Sequence, residues 1–310
     1  MKKTIKVHNE NNETIEIPVP KNDTSALAMR SKGEKAIYAV LIVILCIHIF
    51  TLFIPWVWTF LASLKESFEY ASGDPFALPK NWKFSNFAQA FKLLKVGDTT
   101  FAGMIWNSVW YVALNATLDT FVPACTGYVM SKYKFRGREI IYSVAITCMT
   151  IPIVGSMASA FKLYMNLGVY DTPWYVVITS IGGFGGTFLI YYGYFKNISW
   201  SYAEAAMMDG AGPYTIFFKV MLPQAAPLLM TYMITGAMGS WGDYMSFVTY
   251  MPSWPNLATG LYAYQSDTIR MANYPVFFAG TLLTMIPSII LFCTSSDKIM
   301  TNLSLGGLKG

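Results

Sequence analysis

The sequence predicts an all-α, polytopic membrane protein with six transmembrane helices. The 310 residues are 54% hydrophobic and only 13% charged, whereas a soluble domain carries about 25% charged residues. Long stretches of the chain contain no Asp, Glu, Lys or Arg. A transmembrane helix needs about 20 residues to cross about 30 Å of hydrocarbon, and most of these stretches are long enough. These uncharged stretches are residues 36–64, 99–118, 140–161, 172–195, 220–242, 244–266 and 271–296.

Six of these stretches are assigned as spans. The 244–266 stretch is left out because it contains Pro252, Pro255 and Asn256, which favour a loop or a re-entrant segment. No apolar segment follows directly after Met1, so we expect the first span to be an uncleaved anchor. The predicted spans are 37–62, 104–130, 139–165, 173–194, 222–249 and 275–295.

Basic residues predict the orientation of the spans. The connector 131–138 carries Lys132, Lys134, Arg136 and Arg138, and by the positive-inside rule it faces the cytoplasm. Counting from it places both termini in the cytoplasm. The basic residues follow the membrane topology, so nucleic-acid binding is not indicated. The predicted regions are a polar cytoplasmic head, a transmembrane domain with an external loop, and a cytoplasmic tail, at residues 1–34, 35–297 (loop 65–103) and 298–310.

Three shorter segments carry local signals. Residues 4–19 alternate loosely and form either a small hairpin or a disordered segment. In the external loop, the spacing of Phe84, Phe87 and Phe91 predicts a short helix, either at the membrane interface or packed on the protein. Gly182–Gly186 lies inside span four, where glycine permits close backbone approach. No P-loop lysine follows it, and no cluster of metal ligands occurs in the sequence.

The cytoplasmic connector 196–221 predicts two short helices separated by a sharp bend. Ser201 is placed as an N-cap with Glu204 three residues on, and Gly210 is placed in the left-handed conformation that ends the helix. Pro213 suits the first turn of the next helix. The apolar side chains of this connector are expected to be exposed, as in a helix that docks into a groove of another protein, or as in an amphipathic linker. They are Met207, Met208, Ile216 and Phe217.

This connector resembles the EAA loop of ABC importer permeases. Glu204-Ala205-Ala206 is followed after three residues by Gly210, and after nine more by Val220-Met221-Leu222-Pro223. Further segments are similar to the MalG-like permease subunits of carbohydrate importers, and together the resemblance covers about residues 36–310. These segments are Asn107-Ser108, Gly127–Ser131, Trp241–Tyr244 and Leu305–Gly310.

The resemblance implies a type I ABC importer permease fold in the cytoplasmic (inner) membrane. Such a chain is not an enzyme and binds no cofactor, because ATP and Mg²⁺ belong to a partner ATPase. The implied partners are a second homologous permease, two copies of the ATPase, an extracytoplasmic solute-binding protein, membrane lipid and a carbohydrate substrate. The implied ATPase-coupling residues are Glu204, Ala205, Ala206, Asp209, Gly210, Leu222 and Pro223.

Two further sets of residues are weighed as functional. In the family the C-terminal tail reaches the ATPase interface, so Gly306, Gly307, Lys309 and Gly310 are expected there, the alternative being a frayed end. Ionisable and aromatic residues inside spans either line the substrate pathway or fasten helices together. These candidates are Asn115, Asp119, Trp241, Asp243 and Tyr244.

Two other functions stay open from the sequence. The solute of such an importer would alternatively be a glycerol phosphate or a peptide. A stand-alone secondary transporter is the other class, and inverted repeats would favour it, but the sequence shows none.

Overall fold

The computed structural model describes residues 4–8, 14–18, 32–151, 155–271 and 273–307. The chain forms two compact units, residues 1–57 and 58–310, which are described separately. In the first unit, strands β1 (Thr4–His8) and β2 (Thr14–Pro18) pair antiparallel, with Thr4 opposite Pro18. The hairpin alternative is therefore confirmed, and the head adds two strands to a chain predicted to be all-α.

Helices make up most of the second unit. Helix α1 (Lys32–Ser63) begins in the first unit and ends in the second. The helices that follow are α2 (Ser67–Ser72), α3 (Ser85–Leu93), α4 (Phe101–Lys132), α5 (Arg138–Thr150), α6 (Met157–Asn166), α7 (Trp174–Ser180), α8 (Gly186–Asn197), α9 (Ser201–Met208), α10 (Pro213–Thr215), a π-helix (Ile216–Met221), α11 (Leu222–Gln224), α12 (Ala226–Trp241), α13 (Met245–Tyr250), α14 (Leu257–Met271) and α15 (Tyr274–Gly307).

Some of the described helices are long and apolar enough to cross a membrane. Ala36–Ser63 and Tyr274–Ser296 qualify as they stand. Pro213–Gln224 and Ala226–Trp241 are bent by 74° and make a third span if the pair counts as one. The side chains of residues 36–57 are exposed all round α1. An apolar surface of this kind on every side of a helix is typical of one surrounded by lipid or by other helices.

Predicted spans three and four are not continuous helices. The first divides into α5 and α6, and the second into α7 and α8 on either side of residues 181–185. In the second break, Gly183 has a φ of +62° and lies against α4, where an added Cβ would sit 2.9 Å from Thr126 Cγ2. The Thr126 hydroxyl donates to the Gly183 carbonyl at 2.7 Å. Gly183 therefore allows the close approach predicted for this run, but at a break in the helix, whereas an added Cβ at Gly182, Gly185 or Gly186 would meet no atom within 4 Å.

Predicted span five is also shorter than expected. Helix α12 ends at Trp241, not at residue 249. The 244–266 stretch, predicted to be a loop or a re-entrant segment, contains α13 and most of α14. The Asp243 carboxylate accepts the Ser246 backbone N–H at 3.1 Å and so begins α13 separately. At the other end of the span, the chain bends between Gln224 and α12, where the Tyr194 hydroxyl donates to the Gln224 carbonyl at 2.6 Å.

Helix α4 lies at the centre of the second unit, because it contacts α7, α8, α12 and α14. Its Thr100 N-cap accepts the Gly103 N–H at 3.4 Å, and the helix continues through Pro123 to Lys132. Against α8 the two backbones approach closely at Gly127, where an added Cβ would lie 2.8 Å from Tyr191 Cβ. The packing of α4 on α8 therefore depends on the absence of a side chain at residue 127.

Helix α3 packs on the protein, which is one of the two alternatives predicted for it. Phe87 packs with the buried Ala90 and Leu94 against the rest of the unit, whereas Phe84 and Phe91 are exposed. The membrane-interface alternative stays a prediction for the exposed side of the helix.

We expect Gly127→Ala to destabilise the unit by about 1–3 kcal/mol, because overpacking a close helix contact forces the backbones apart. Gly193→Ala on α8 is the matched control, since its added methyl meets no atom within 4 Å. The control should be neutral or slightly stabilising, because alanine favours helix more than glycine does. Thermal unfolding in detergent compares the two, and equal melting temperatures would contradict the packing described here.

Candidate functional site

Helix α9 ends in the conformation that its sequence predicts. Gly210 has a φ of +81°, and its N–H donates to the Met207 carbonyl at 3.0 Å. The Ala211 N–H reaches back to the Ala206 carbonyl at 2.9 Å, as in a Schellman motif. The start differs from the prediction. Trp200, not Ser201, precedes the first turn, no side chain caps it, and Ser201 Oγ lies 2.8 Å from Ser199 Oγ.

One face of α9 is buried and the other is open. Ala203 is fully buried at 0% exposure and fastens the helix to the unit. On the open side Glu204, Ala205 and Asp209 are exposed, Ala206 is half-buried, and Met208 is 89% exposed. Small side chains thus border a free carboxylate and an apolar tip, which is a surface suited to docking in a groove.

The second half of the connector is more buried than predicted. Pro213 begins α10 as expected, but Ile216 and Phe217 of the π-helix are buried. The prediction that they are exposed is wrong, because Phe217 packs on Tyr128 of α4 with ring centroids 4.7 Å apart. Leu222 packs half-buried against the same cluster, and Pro223 is exposed.

These residues form one apolar cluster, which we call the coupling core. It joins α9 and the π-helix to α4 and α8. Its buried members are Ala124, Tyr128, Tyr191, Phe195, Ala203, Ile216, Phe217, Met221 and Ala225.

Lys132 fastens the ends of α4 and α8. Its Nζ donates to the Ile198 carbonyl, directly after α8. Burial lowers the pKa of Lys132 below its ordinary value, because the surrounding protein displaces the water that stabilises the ammonium ion. Lys132 is one of the basic residues predicted to face the cytoplasm, and it also holds two helix ends together.

Asp243 is used for packing. Its carboxylate accepts the Tyr111 hydroxyl at 2.7 Å and the Ser246 N–H at 3.1 Å. Its carbonyl accepts the Asn256 side-chain amide at 2.8 Å. These bonds tie the end of α12 to α4 and to the segment before α14.

Trp241 and Tyr244 line a cleft of about 540 Å³. The Trp241 indole donates to the Thr284 carbonyl at 2.9 Å, and Tyr244 stacks on Tyr262 at 4.9 Å. Sequence reasoning missed the contribution of α14, although Ala258, Leu261, Tyr262 and Gln265 recur at the spacing of one helical face. That signal was missed because the prolines and Asn256 of the stretch favoured a loop or a re-entrant segment.

The remaining candidates lie elsewhere. Asn115 and Asp119 are on α4 and do not line this cleft. Asp119 is exposed, and the Asn115 Oδ1 is buried with no hydrogen-bond partner among the described residues. In the tail, α15 continues unbroken through Gly306 and Gly307, while Lys309 and Gly310 lie outside the described residues. Within the part of the chain that the structure describes, no group of three His, Cys, Asp or Glu residues is placed to hold a metal ion.

A family described as the inner membrane component of binding-protein-dependent transport systems matches residues 124–304. The matched region includes α9, the coupling core and the cleft. The chain belongs to this family. The resemblance seen in the connector is thereby confirmed, and the chain is an inner-membrane transport component.

Alignments with similar proteins extend over most of the chain. The diacetylchitobiose uptake permease NgcG of Streptomyces coelicolor is 29% identical, with 83% of this chain and 84% of the relative covered. The maltodextrin permease MdxG of Bacillus subtilis is 26% identical, with 82% and 91% covered. Among solved structures, a bacterial alginate ABC importer matches with a TM-score of 0.71 at 23% identity, over 87% of this chain and 98% of that one. This likeness shows a shared fold.

We expect Tyr111→Phe to destabilise the protein by about 1–3 kcal/mol, because it removes a hydrogen bond to a carboxylate. Asp243→Ala should cost a similar amount, and the double variant should cost less than the sum of the two. Chemical denaturation of the three variants and the parent gives the coupling energy. Strict additivity would contradict the 2.7 Å contact between the two side chains.

Proposed function

We propose that this chain is one of two permease subunits of an ATP-driven importer for a sugar or oligosaccharide. The observation that carries the proposal is the exposed face of α9, a helix that packs on the coupling core. The chain belongs to a family of inner-membrane transport components, which agrees with a docking role for this face. The named relatives that import diacetylchitobiose, galacto-oligosaccharides and maltodextrin support the substrate class.

A separate ATPase, present in two copies, supplies the energy. In this proposal Glu204 meets a basic group in a cleft of the ATPase, Ala205 and Ala206 allow close approach, and Gly210 makes the bend. Leu222 and Pro223 begin the return into the membrane. ATP and Mg²⁺ act on the ATPase, and this chain performs no reaction on its substrate. The tail residues Gly306, Gly307, Lys309 and Gly310 are proposed to contact the ATPase dimer as well.

Movement of the ATPase reaches the spans through the coupling core. Closure of the ATPases displaces α9, and because Ala203 and Phe217 pack on Tyr128 and Phe195, the displacement passes to α4 and α8. The spans then change between inward-open and outward-open states, each favoured by different contacts with the partner.

The proposed arrangement has six spans with both termini in the cytoplasm. Broken helices in three of them are compatible with this count, because helix ends inside a membrane are tolerated where they are buried in protein. The solute-binding protein then delivers sugar from the outer side, and a second homologous permease completes the pathway. Trp241 and Tyr244 are proposed as pathway residues, with Asp243 holding the end of α12. Asn115 and Asp119 remain candidates on α4.

We expect Glu204→Lys and Gly210→Pro each to abolish co-purification of the ATPase and to reduce ATP-driven uptake to background. The lysine opposes a basic partner, at a cost of about 2–5 kcal/mol, and proline is unable to adopt the φ of +81° found at Gly210. Glu139→Lys is the matched charge-reversal control, since its side chain is 82% exposed and lies on α5. It should retain both properties.

The measurement is a pull-down of the assembled complex, followed by uptake into proteoliposomes. Uptake that persists in both variants without any bound ATPase would overturn the proposal in favour of a secondary transporter. Binding of the partner solute-binding protein to oligosaccharides, glycerol phosphates and peptides separates the substrate classes.

A further inference from the structure

The cleft beside Trp241 has the dimensions of a small-molecule site. Its volume of about 540 Å³ lies within the range of about 300–1,000 Å³ that is typical of ligand pockets. It is bounded by the end of α12, by one face of α14 and by the first half of α15. Three separate elements thus converge on one concave surface.

The lining combines aromatic faces with uncharged polar groups. Trp241, Tyr244 and Tyr262 supply the aromatic surface. Gln265, Thr281 and Ser288 supply amide and hydroxyl groups. Among the described residues that line the cleft there is no Asp, Glu, Lys, Arg or His. A ligand with a net charge would lose hydration here without gaining a counter-charge, so the lining suits a neutral ligand.

The aromatic wall is held in position before any ligand arrives. The Trp241 indole is fixed by its bond to the Thr284 carbonyl, 2.9 Å long. Tyr244 and Tyr262 stack with an interplanar angle of 21°, and Tyr262 stays 44% exposed, which leaves ring surface free for a ligand. Preorganised aromatic side chains bind at a low cost in conformational entropy.

The polar groups also have defined roles. The Thr281 hydroxyl donates to the Phe277 carbonyl at 3.0 Å, so it offers a ligand only its acceptor lone pairs. Gln265 is exposed on α14 and offers both a donor and an acceptor. A flat ring with hydroxyl groups at its edge satisfies both the aromatic wall and these polar groups.

We propose that this cleft binds one ring of a neutral saccharide, stacked on the Tyr244–Tyr262 wall and hydrogen-bonded by Gln265. The inference rests on the function proposed above, and it assigns to this chain a sugar site of its own. The Asp243 carboxylate does not contact the sugar. It acts as a positioning residue, because it holds the end of α12 through Tyr111.

Cysteine protection in the assembled importer tests the site directly. The variants are Gln265→Cys, in the cleft, and Ser266→Cys, an exposed neighbour on α14 that does not line it. Each is treated from outside with a water-soluble thiol reagent, and the parent complex, with its free cysteines, gives the background. The probes are diacetylchitobiose, a maltodextrin and a galacto-oligosaccharide, and the one that best stimulates the ATPase is used.

We expect the sugar to slow modification of Gln265→Cys about tenfold, as for a site about 90% occupied, and to leave Ser266→Cys unchanged. Equal modification with and without sugar, in a complex that still performs ATP-driven uptake, would overturn the site and leave the proposed function standing. A Gln265→Cys thiol that never reacts would show that another subunit or lipid fills the cleft, and would also overturn it. No uptake of any of the three sugars by the parent complex would instead reject the substrate class.

A pair of ring variants gives a second measurement. Tyr262→Leu should raise the KM for uptake about tenfold, which corresponds to about 1.4 kcal/mol of lost binding. Tyr262→Phe keeps the stacked ring and should stay within about twofold of the parent. An equal KM for the leucine and phenylalanine variants would argue against stacking.

Discussion

The close approach of α4 and α8 at Gly127 is the constraint on which the rest of the structure depends. With no side chain at this position, the Tyr191 backbone lies directly against α4. Tyr128, on the next residue of α4, and Phe195, one turn further along α8, then face the same cluster. The contact between α4 and α8 beside the coupling core therefore depends on the absence of a side chain at residue 127, and α9 and the π-helix pack on that core.

At two of the helix breaks, a backbone carbonyl accepts a hydroxyl group from a neighbouring helix. At Gly183 the carbonyl accepts the Thr126 hydroxyl, and after the π-helix the Gln224 carbonyl accepts the Tyr194 hydroxyl. Each interruption leaves polar backbone groups that a membrane cannot satisfy. Here a hydroxyl group of a neighbouring helix satisfies one carbonyl at each of these two breaks. A π-helix next to such a bend is typical of functional segments.

At the C-terminal end of α12 the polar contacts have a different role. Asp243 forms hydrogen bonds with Tyr111, Ser246 and Asn256 just after the last turn of the helix. These bonds hold the backbone between Trp241 and Tyr244 in position. Asn107 of α4 and the Pro255 carbonyl add a further bond of 2.9 Å to the same segment. The cleft is thus shaped by hydrogen bonds just outside it, and its own lining stays free of charged groups.

Local patterns in the sequence determined membrane residence, the family and the shape of the connector, because uncharged length, Gly210 and Pro213 act within a few residues of chain. Tertiary structure alone decided which connector residues are buried. Ile216 and Phe217 look like a surface for docking until Tyr128, about ninety positions earlier, covers them. Tertiary structure alone also showed which contacts the candidate pathway residues make, since Asp243 bonds to Tyr111 and Tyr244 stacks on Tyr262. Such contacts join residues distant along the chain, and no spacing within one segment encodes them.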